Sequence, residues 1–243
     1  GWDYGDYVLR ETASCILSCI SDSQKVYKIA SDEFIILDTT SSDMTTASNL
    51  YDHICKHINQ FIEENNFAAV FTISAGILPL PDLSQTGYAE LIKRTDFSLT
   101  MAKQHGRNCC YIFQEEEYQN FLRIREITNE LHSAVNHSFR GFSIIFQPVM
   151  DIRQDKLTGA EVLIRFASKK FGPISPAEFI PLLETSGLII PTGRWFMREA
   201  ITACRKIRMQ IPDFKVNINV SQVQITKSDV ITDLISEMNA SGL

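Results

Sequence analysis

The sequence predicts an α/β chain, and three observations predict it. Residues 1–113 mix helix-periodic segments with a hairpin and further short strands. Residues 114–140 form a charged stretch with one apolar side and neither Pro nor Gly. From Phe142 the rhythm becomes strand, hairpin, strand, helix, helix, strand. Strands separated by helices argue for a parallel sheet or barrel, here incomplete. The expected organisation is a first domain over 1–113, a helical connector over 114–140 and a second domain over 141–243.

Each element follows from its local pattern. Residues 6–20 place Val8, Leu9, Ala13, Ile16, Leu17 and Ile20 at helical spacing. Residues 27–30 and 34–37 read as a hairpin around the polar turn Ser31-Asp32-Glu33. A long amphipathic helix is expected over 42–64, a strand over 68–76, a helix over 87–105 stopped by Gly106, and a closing strand over 109–113. In the connector, Phe121, Ile124, Ile127, Leu131 and Val135 mark the apolar side. Strands follow over 142–148 and 158–166. Ser175-Pro176-Ala177-Glu178 reads as a capping box with Pro at the first helical position, and Gly187 stops that helix. A helix over 192–209, a strand over 215–220 and a last helix over 226–240 before Gly242 complete the reading.

Composition bounds the function. With 243 residues, 44% apolar and 21% charged, a sizeable core can be buried. The net charge of -6 argues against binding nucleic acid or an anionic membrane, both of which want a basic surface. A local basic pocket for phosphate stays open. The six cysteines, Cys15, Cys19, Cys55, Cys109, Cys110 and Cys204, contain no C-x-x-C pair, which points to a reducing compartment without a disulfide framework. No apolar run reaches the ~20 residues of a membrane span, and no basic-then-apolar leader is present, so a cytoplasmic location is expected. The chain begins without Met, as if in mid-domain, and both ends are expected to be cut. His53 and His57 stand four apart on a helix, but His53 has no Glu beside it and Lys56 adjoins His57, so the pair reads as a solvated face.

Strand alternation sorts the second domain's side chains into faces. Ala160, Val162, Ile164 and Phe166 share one face of their strand, and Glu161, Leu163 and Arg165 the other. Val216 and Ile218 oppose Asn217, Asn219 and Ser221, while Gln147 falls with Ser143 and Ile145. A carboxylate, a guanidinium and amides within a sheet are expensive to bury unpaired. Glu161 and Asn219 offer hard oxygens of the kind Mg²⁺ or Mn²⁺ prefers, and Arg165 offers a fork for phosphate. Two readings stand: a metal-assisted phosphoester site, or an internal Glu–Arg pair with satisfied amides.

Longer motifs carry a resemblance. FSIIFQPVMDIRQDKLTGAEVLIRF, GPISPAEFIPLLETSGLI and VNINVSQVQI resemble the start of an EAL domain, with Glu161-Val162-Leu163 at the signature tripeptide. The resemblance implies a TIM-type (β/α) barrel and hydrolysis of cyclic di-GMP to linear pGpG with Mg²⁺ or Mn²⁺. It implies Glu161 and Asn219 as metal ligands, Arg165 at phosphate, and Gln147 and Leu163 along the substrate groove. The family's later ligands, paired Asp residues and Lys do not occur before Leu243. The expectation is therefore a phosphodiesterase in a longer parent and no turnover by these 243 residues alone. A non-catalytic cyclic di-GMP receptor or scaffold that signals through a protein partner is the rival implication.

Residues 1–113 resemble a GGDEF domain, a nucleotide-cyclase-like mixed sheet with helices, lacking its first strand. GWDYGDYVLRETA resembles its helix start, with Asp6 at the guanine-contacting position. KVYKIASDEFIIL resembles the signature hairpin, with Ala30 and Ser31 in place of the two glycines and Asp32 and Glu33 retained. Lys103 and Arg107 stand at the triphosphate-contacting positions. The lost glycines, which permit unusual φ angles and close approach to a nucleotide, argue against diguanylate cyclase activity. GTP binding at this degenerate site, dimerisation of the parent and an inner-membrane anchor ahead of residue 1 are further implications of the resemblance.

Overall fold

The computed structural model describes residues 2–40, 43–65, 71–80 and 87–241. Two units divide the chain, Gly1–Gln119 and Asn120–Leu243. The second takes in residues 120–140, which the sequence assigns to a connector.

In the first unit, helix α1 (Trp2–Cys19) packs on α2 (Met44–Glu64). Ile54, Ile58 and Ile62 recur every four residues, so they line one face of α2 and meet Cys15 and Ile16. Asp43 caps α2 by accepting from the amides of Thr45 and Thr46. Strands β1 (Gln24–Lys28) and β2 (Phe34–Asp38) form the expected hairpin, antiparallel, with Lys28 opposite Phe34 and Gln24 opposite Asp38. The first strand starts three residues earlier than its β-rich run, where the Gln24 side-chain amide donates to the Asp38 carboxylate at 2.7 Å and extends the pairing outward. Strand β3 (Ala75–Ile77), helix α3 (Tyr88–Gln104) and strand β4 (Cys110–Ile112) follow, with β3 and β4 paired in parallel. Of the strand expected over 68–76, residues 68–70 lie outside the described residues. Residues 71–74 form no ladder. The Ile73 carbonyl accepts from the Tyr51 hydroxyl at 3.1 Å, and the Ser74 hydroxyl accepts from the Asn108 amide at 3.2 Å. Gly76 lets α3 approach: a Cβ there would lie 2.4 Å from the Leu99 amide nitrogen.

The second unit is built on α4 (Glu115–Asn136), whose first turn belongs to the first unit, and on the long hairpin β5 (Phe142–Asp151) and β6 (Lys156–Ser168). A short turn can join only antiparallel neighbours, which sets this pair. Strand β7 (Gly172–Ile174) adds antiparallel to the end of β6. The parallel pairing expected of this domain is that of β6 with β8 (Lys215–Ile218), reached after α5 (Pro176–Thr185) and α6 (Ile189–Arg208). Ala160, Val162 and Phe166 are buried as the alternation requires, against Phe196, Ala200, Phe214, Phe179 and Leu183.

Several helix ends differ from the sequence reading, and α1 begins at Trp2 rather than at residue 6. Ser175 precedes α5 with Pro176 at its start but makes no side-chain cap bond. Glu178, the other half of that expected box, is drawn to Arg123, which donates to it at 2.8 and 3.2 Å. Helix α6 starts at Ile189 rather than at residue 192, two residues after Gly187 turns the chain at φ +73°. The helix expected over 226–240 is two, α7 (Gln222–Lys227) and α8 (Val230–Ser241), since the Asp229 carboxylate binds the Thr232 amide and hydroxyl and opens a new helix. Gly242 lies outside the described residues. No helix among the described residues is long and apolar enough to cross a membrane.

Candidate functional site

Strand β6 gathers the polar side chains of the second unit on the face opposite its core. In register, Glu161 stands between Gln147 of β5 and Asn217 of β8. Leu163 stands beside Ile145, and Arg165 beside Ser143. These neighbours share a face because paired residues in a sheet point the same way. The face is open: Gln147 and Asn217 are exposed, and Glu161, Leu163 and Arg165 half-buried. Just past β8, the Asn219 amide donates to the Glu161 carboxylate at 2.7 Å.

Two readings of Glu161 were open from the sequence, and the internal Glu–Arg pair is not formed. Arg165 makes no ion pair among the described residues; its guanidinium donates to the Ile164 carbonyl at 2.8 Å. The remaining donors of its fork are available to an anion. Which way an amide points is set by its hydrogen bonds. Turned over, Asn219 presents its carbonyl oxygen beside the Glu161 carboxylate, a pair of hard oxygens suited to a divalent cation. The residues therefore fit such an ion.

The segment carrying Asn219 is held by Ser221, which the sequence places on the same strand face, and by Gln224 and Glu184, which the sequence reading passed over. Ser221 opens α7 with a capping box: its hydroxyl accepts from the Val223 amide at 3.1 Å, and Gln224 accepts from the Ser221 amide at 3.2 Å. The Ser221 hydroxyl also donates to Glu184 of α5 at 2.6 Å. Gln224, 5% exposed, fills the space above Gly193 of α6, where a Cβ would lie 2.0 Å from its side-chain nitrogen. The Ser-x-x-Gln spacing was a usable signal for this box. The Glu184 contact, 37 residues away, had none.

In the first unit, Asp6 lines a cleft of about 450 Å³ with Leu9, Arg10, Lys28 and Phe34. Lys103 of α3 reaches Glu33 of the hairpin turn at 3.4 Å. Asp32 is exposed and accepts from the Ser31 hydroxyl at 3.3 Å. Arg107 is exposed, with φ +61°, in the turn after α3. The structure thus joins Glu33 and Lys103 and gives no contact between Asp6, Asp32 and Arg107 among the described residues.

Comparison with known proteins fits this division. Residues 1–109 match the family described as diguanylate cyclase, GGDEF domain, and residues 128–243 match the EAL domain family. The chain is a GGDEF–EAL tandem. Among curated relatives, the bifunctional diguanylate cyclase/cyclic di-GMP phosphodiesterase MucR of Pseudomonas aeruginosa is 26% identical over 95% of this chain and 33% of its own length. The cyclic di-GMP phosphodiesterase PdeR of Escherichia coli is 26% identical over 97% of this chain and 35% of its own. Signaling protein YkoW of Bacillus subtilis is 28% identical over 98% and 30% respectively. The chain spans about a third of the length of these relatives.

Within the GGDEF domain, the two substituted glycines have a narrower meaning than their residue type suggests. Neither Ala30 nor Ser31 has a positive φ, so the turn needs no glycine for its backbone. What their Cβ atoms change is the closeness with which a ligand can approach. Within the EAL domain, the match begins at residue 128, inside α4. EAL phosphodiesterases use divalent metal ions as a class, and Glu161 and Asn219 are the side chains here that suit one.

Proposed function

We propose that this chain serves cyclic di-GMP signalling, and that the whole protein hydrolyses cyclic di-GMP to linear pGpG through its EAL domain. The GGDEF domain regulates and makes no cyclic di-GMP. The observation that carries this reading is the row Gln147–Glu161–Asn217 with Asn219 on Glu161, and Arg165 on the same face in no ion pair among the described residues. Glu161 and Asn219 would hold Mg²⁺ or Mn²⁺ through oxygen, and the ion would supply Lewis-acid stabilisation of charge on the phosphate. Arg165 grips a phosphate oxygen with its fork, Leu163 offers apolar contact, and Gln147 hydrogen-bonds along the groove. Two relatives named as cyclic di-GMP phosphodiesterases support the substrate. In the GGDEF domain, Glu33 beside Lys103 and the cleft at Asp6 support residual GTP binding. The protein acts in the cytoplasm as a dimer.

Titrating cyclic di-GMP into the chain with Mg²⁺ or Ca²⁺ tests the site. Arg165→Ala should weaken binding tenfold or more, about 1.4 kcal/mol. Glu161→Ala should remove the dependence on metal. Affinity untouched by both substitutions sinks the assignment. In the whole protein, linear pGpG released by wild type and not by Glu161→Ala supports the phosphodiesterase. Tight binding without turnover replaces it with a receptor.

A further inference from the structure

Outside both sites, the packing of α1 on α2 assembles three metal-binding side chains. Cys19 is the last residue of α1, and His53 and His57 stand one turn apart on α2. Ile16 of α1 and Ile54 and Ile58 of α2 share the adjoining core, which fixes the two helices against each other. The Cys19 sulfur and one nitrogen of each imidazole all lie within 4.8 Å of one another. The two rings meet nearly edge-on, with centroids 4.8 Å apart and planes at 80°. Among the described residues this is the one group of three His, Cys, Asp or Glu side chains so placed.

The donor set is selective. One thiol and two imidazoles, without a carboxylate, suit a borderline ion such as zinc and disfavour magnesium or calcium. Sulfur and nitrogen ligands of one tetrahedral zinc stand ~3.3–3.8 Å apart, so closure requires movements of about 1 Å, within the reach of side-chain rotation. Cys19 and His57 are half-buried and His53 is exposed, which leaves a fourth position facing water. Lys56, which in the sequence speaks against a site, is no obstacle. A helix turns about 100° per residue, so position 56 sits to one side of the face that 53 and 57 share. The partner missing from the sequence pattern is Cys19, 34 positions upstream of His53 and brought in only by helix packing.

We propose that the GGDEF domain binds one zinc-class divalent ion through Cys19, His53 and His57, with water as fourth ligand. The ion ties the end of α1, the helix that carries Asp6, to the middle of α2. The reduced chain is titrated with Co²⁺, whose bond to a thiolate gives a near-ultraviolet charge-transfer band, and then with Zn²⁺. One equivalent of Co²⁺ should develop the band, and one equivalent of Zn²⁺ should erase it. Cys19→Ser should abolish it, and His57→Ala should weaken Co²⁺ binding at least tenfold, with circular dichroism unchanged in both. Cys55→Ser, on α2 but outside the cluster, should keep it. No band in wild type, a band that survives Cys19→Ser, or one lost in Cys55→Ser overturns the proposal.

Discussion

The carboxylate of Glu161 and the amide of Asn219 meet at 2.7 Å across 58 residues of sequence. Replacing the amide by a second carboxylate tests what the contact is for. Asn219→Asp places two like charges side by side on a half-open face, so the metal-free protein should lose about 1 kcal/mol or less. With millimolar Mg²⁺ the same variant should gain more in melting temperature than wild type does, since ion binding is linked to the folded state. Thermal melts with chelator and with Mg²⁺ read both signs; an equal response in the two proteins contradicts a metal role. At this scale the sequence discloses faces well. Period-two alternation sorts Glu161, Leu163 and Arg165 from Ala160, Val162 and Phe166, and burial follows that sorting. What alternation leaves open is which partner each side chain takes. Glu161 takes Asn219 rather than Arg165, and that choice is made by the register of β8 on β6, a long-range pairing. Cys19 is invisible beside His53 and His57 for the same reason.

Among the elements, α4 has the clearest energetic signature. Ile127, Leu131 and Ala134 are buried with Phe166, Phe179 and Leu183, whereas Ile124 is 36% exposed. Leu131→Ala should destabilise the EAL domain by about 2–5 kcal/mol, the range for a fully buried leucine. A denaturation curve in which only the EAL transition moves is the expected result; an unchanged midpoint would show that α4 contributes nothing to that core. The helix and its apolar side are legible in the sequence, because both depend on spacing within one segment. Caps are less so, because a cap competes with distant partners. Ser175 and Glu178 have the right spacing for a box, but Arg123, 55 residues upstream of Glu178, takes the carboxylate. Ser221 also has a distant partner, but its hydroxyl donates to Glu184 while its oxygen still accepts from the Val223 amide, so the box forms. The split between α7 and α8 turns on a single side chain, Asp229, acting as a second cap within an otherwise helical pattern.

Over the whole molecule, several buried and half-buried acids hold their protons more tightly than usual. Burial, helped by the Glu117 hydrogen bond, pushes the Tyr111 hydroxyl up to about 12 from an ordinary 10.0. Burial also raises Tyr51 and the thiols of Cys15, Cys55 and Cys204. For each, the folded state favours the protonated form, so unfolding releases protons as pH rises. The stability these groups contribute is full below their unfolded values, near 9 for the thiols and 10 for tyrosine, and is lost as pH climbs through the folded ones. Stability measured from pH 8 to 12 should therefore fall, and Tyr111→Phe should flatten the stretch between 10 and about 12. A slope that the substitution leaves unaltered would contradict the assignment. The tandem order of the two domains is legible from motif and rhythm, while their border is not, because a helix pattern does not say which core it serves. Tyr118, 2% exposed, lies against Phe97 and Phe113, and nine residues on, Ile127 lies in the EAL core. For anyone dissecting this protein, a GGDEF fragment ending at Phe113 would bare two aromatic rings, and an EAL fragment beginning at Gly141 would bare Phe166 and Phe179. Sticky pieces of that kind self-associate. Both fragments need their own copy of α4: the helix can be duplicated, but it cannot be shared out.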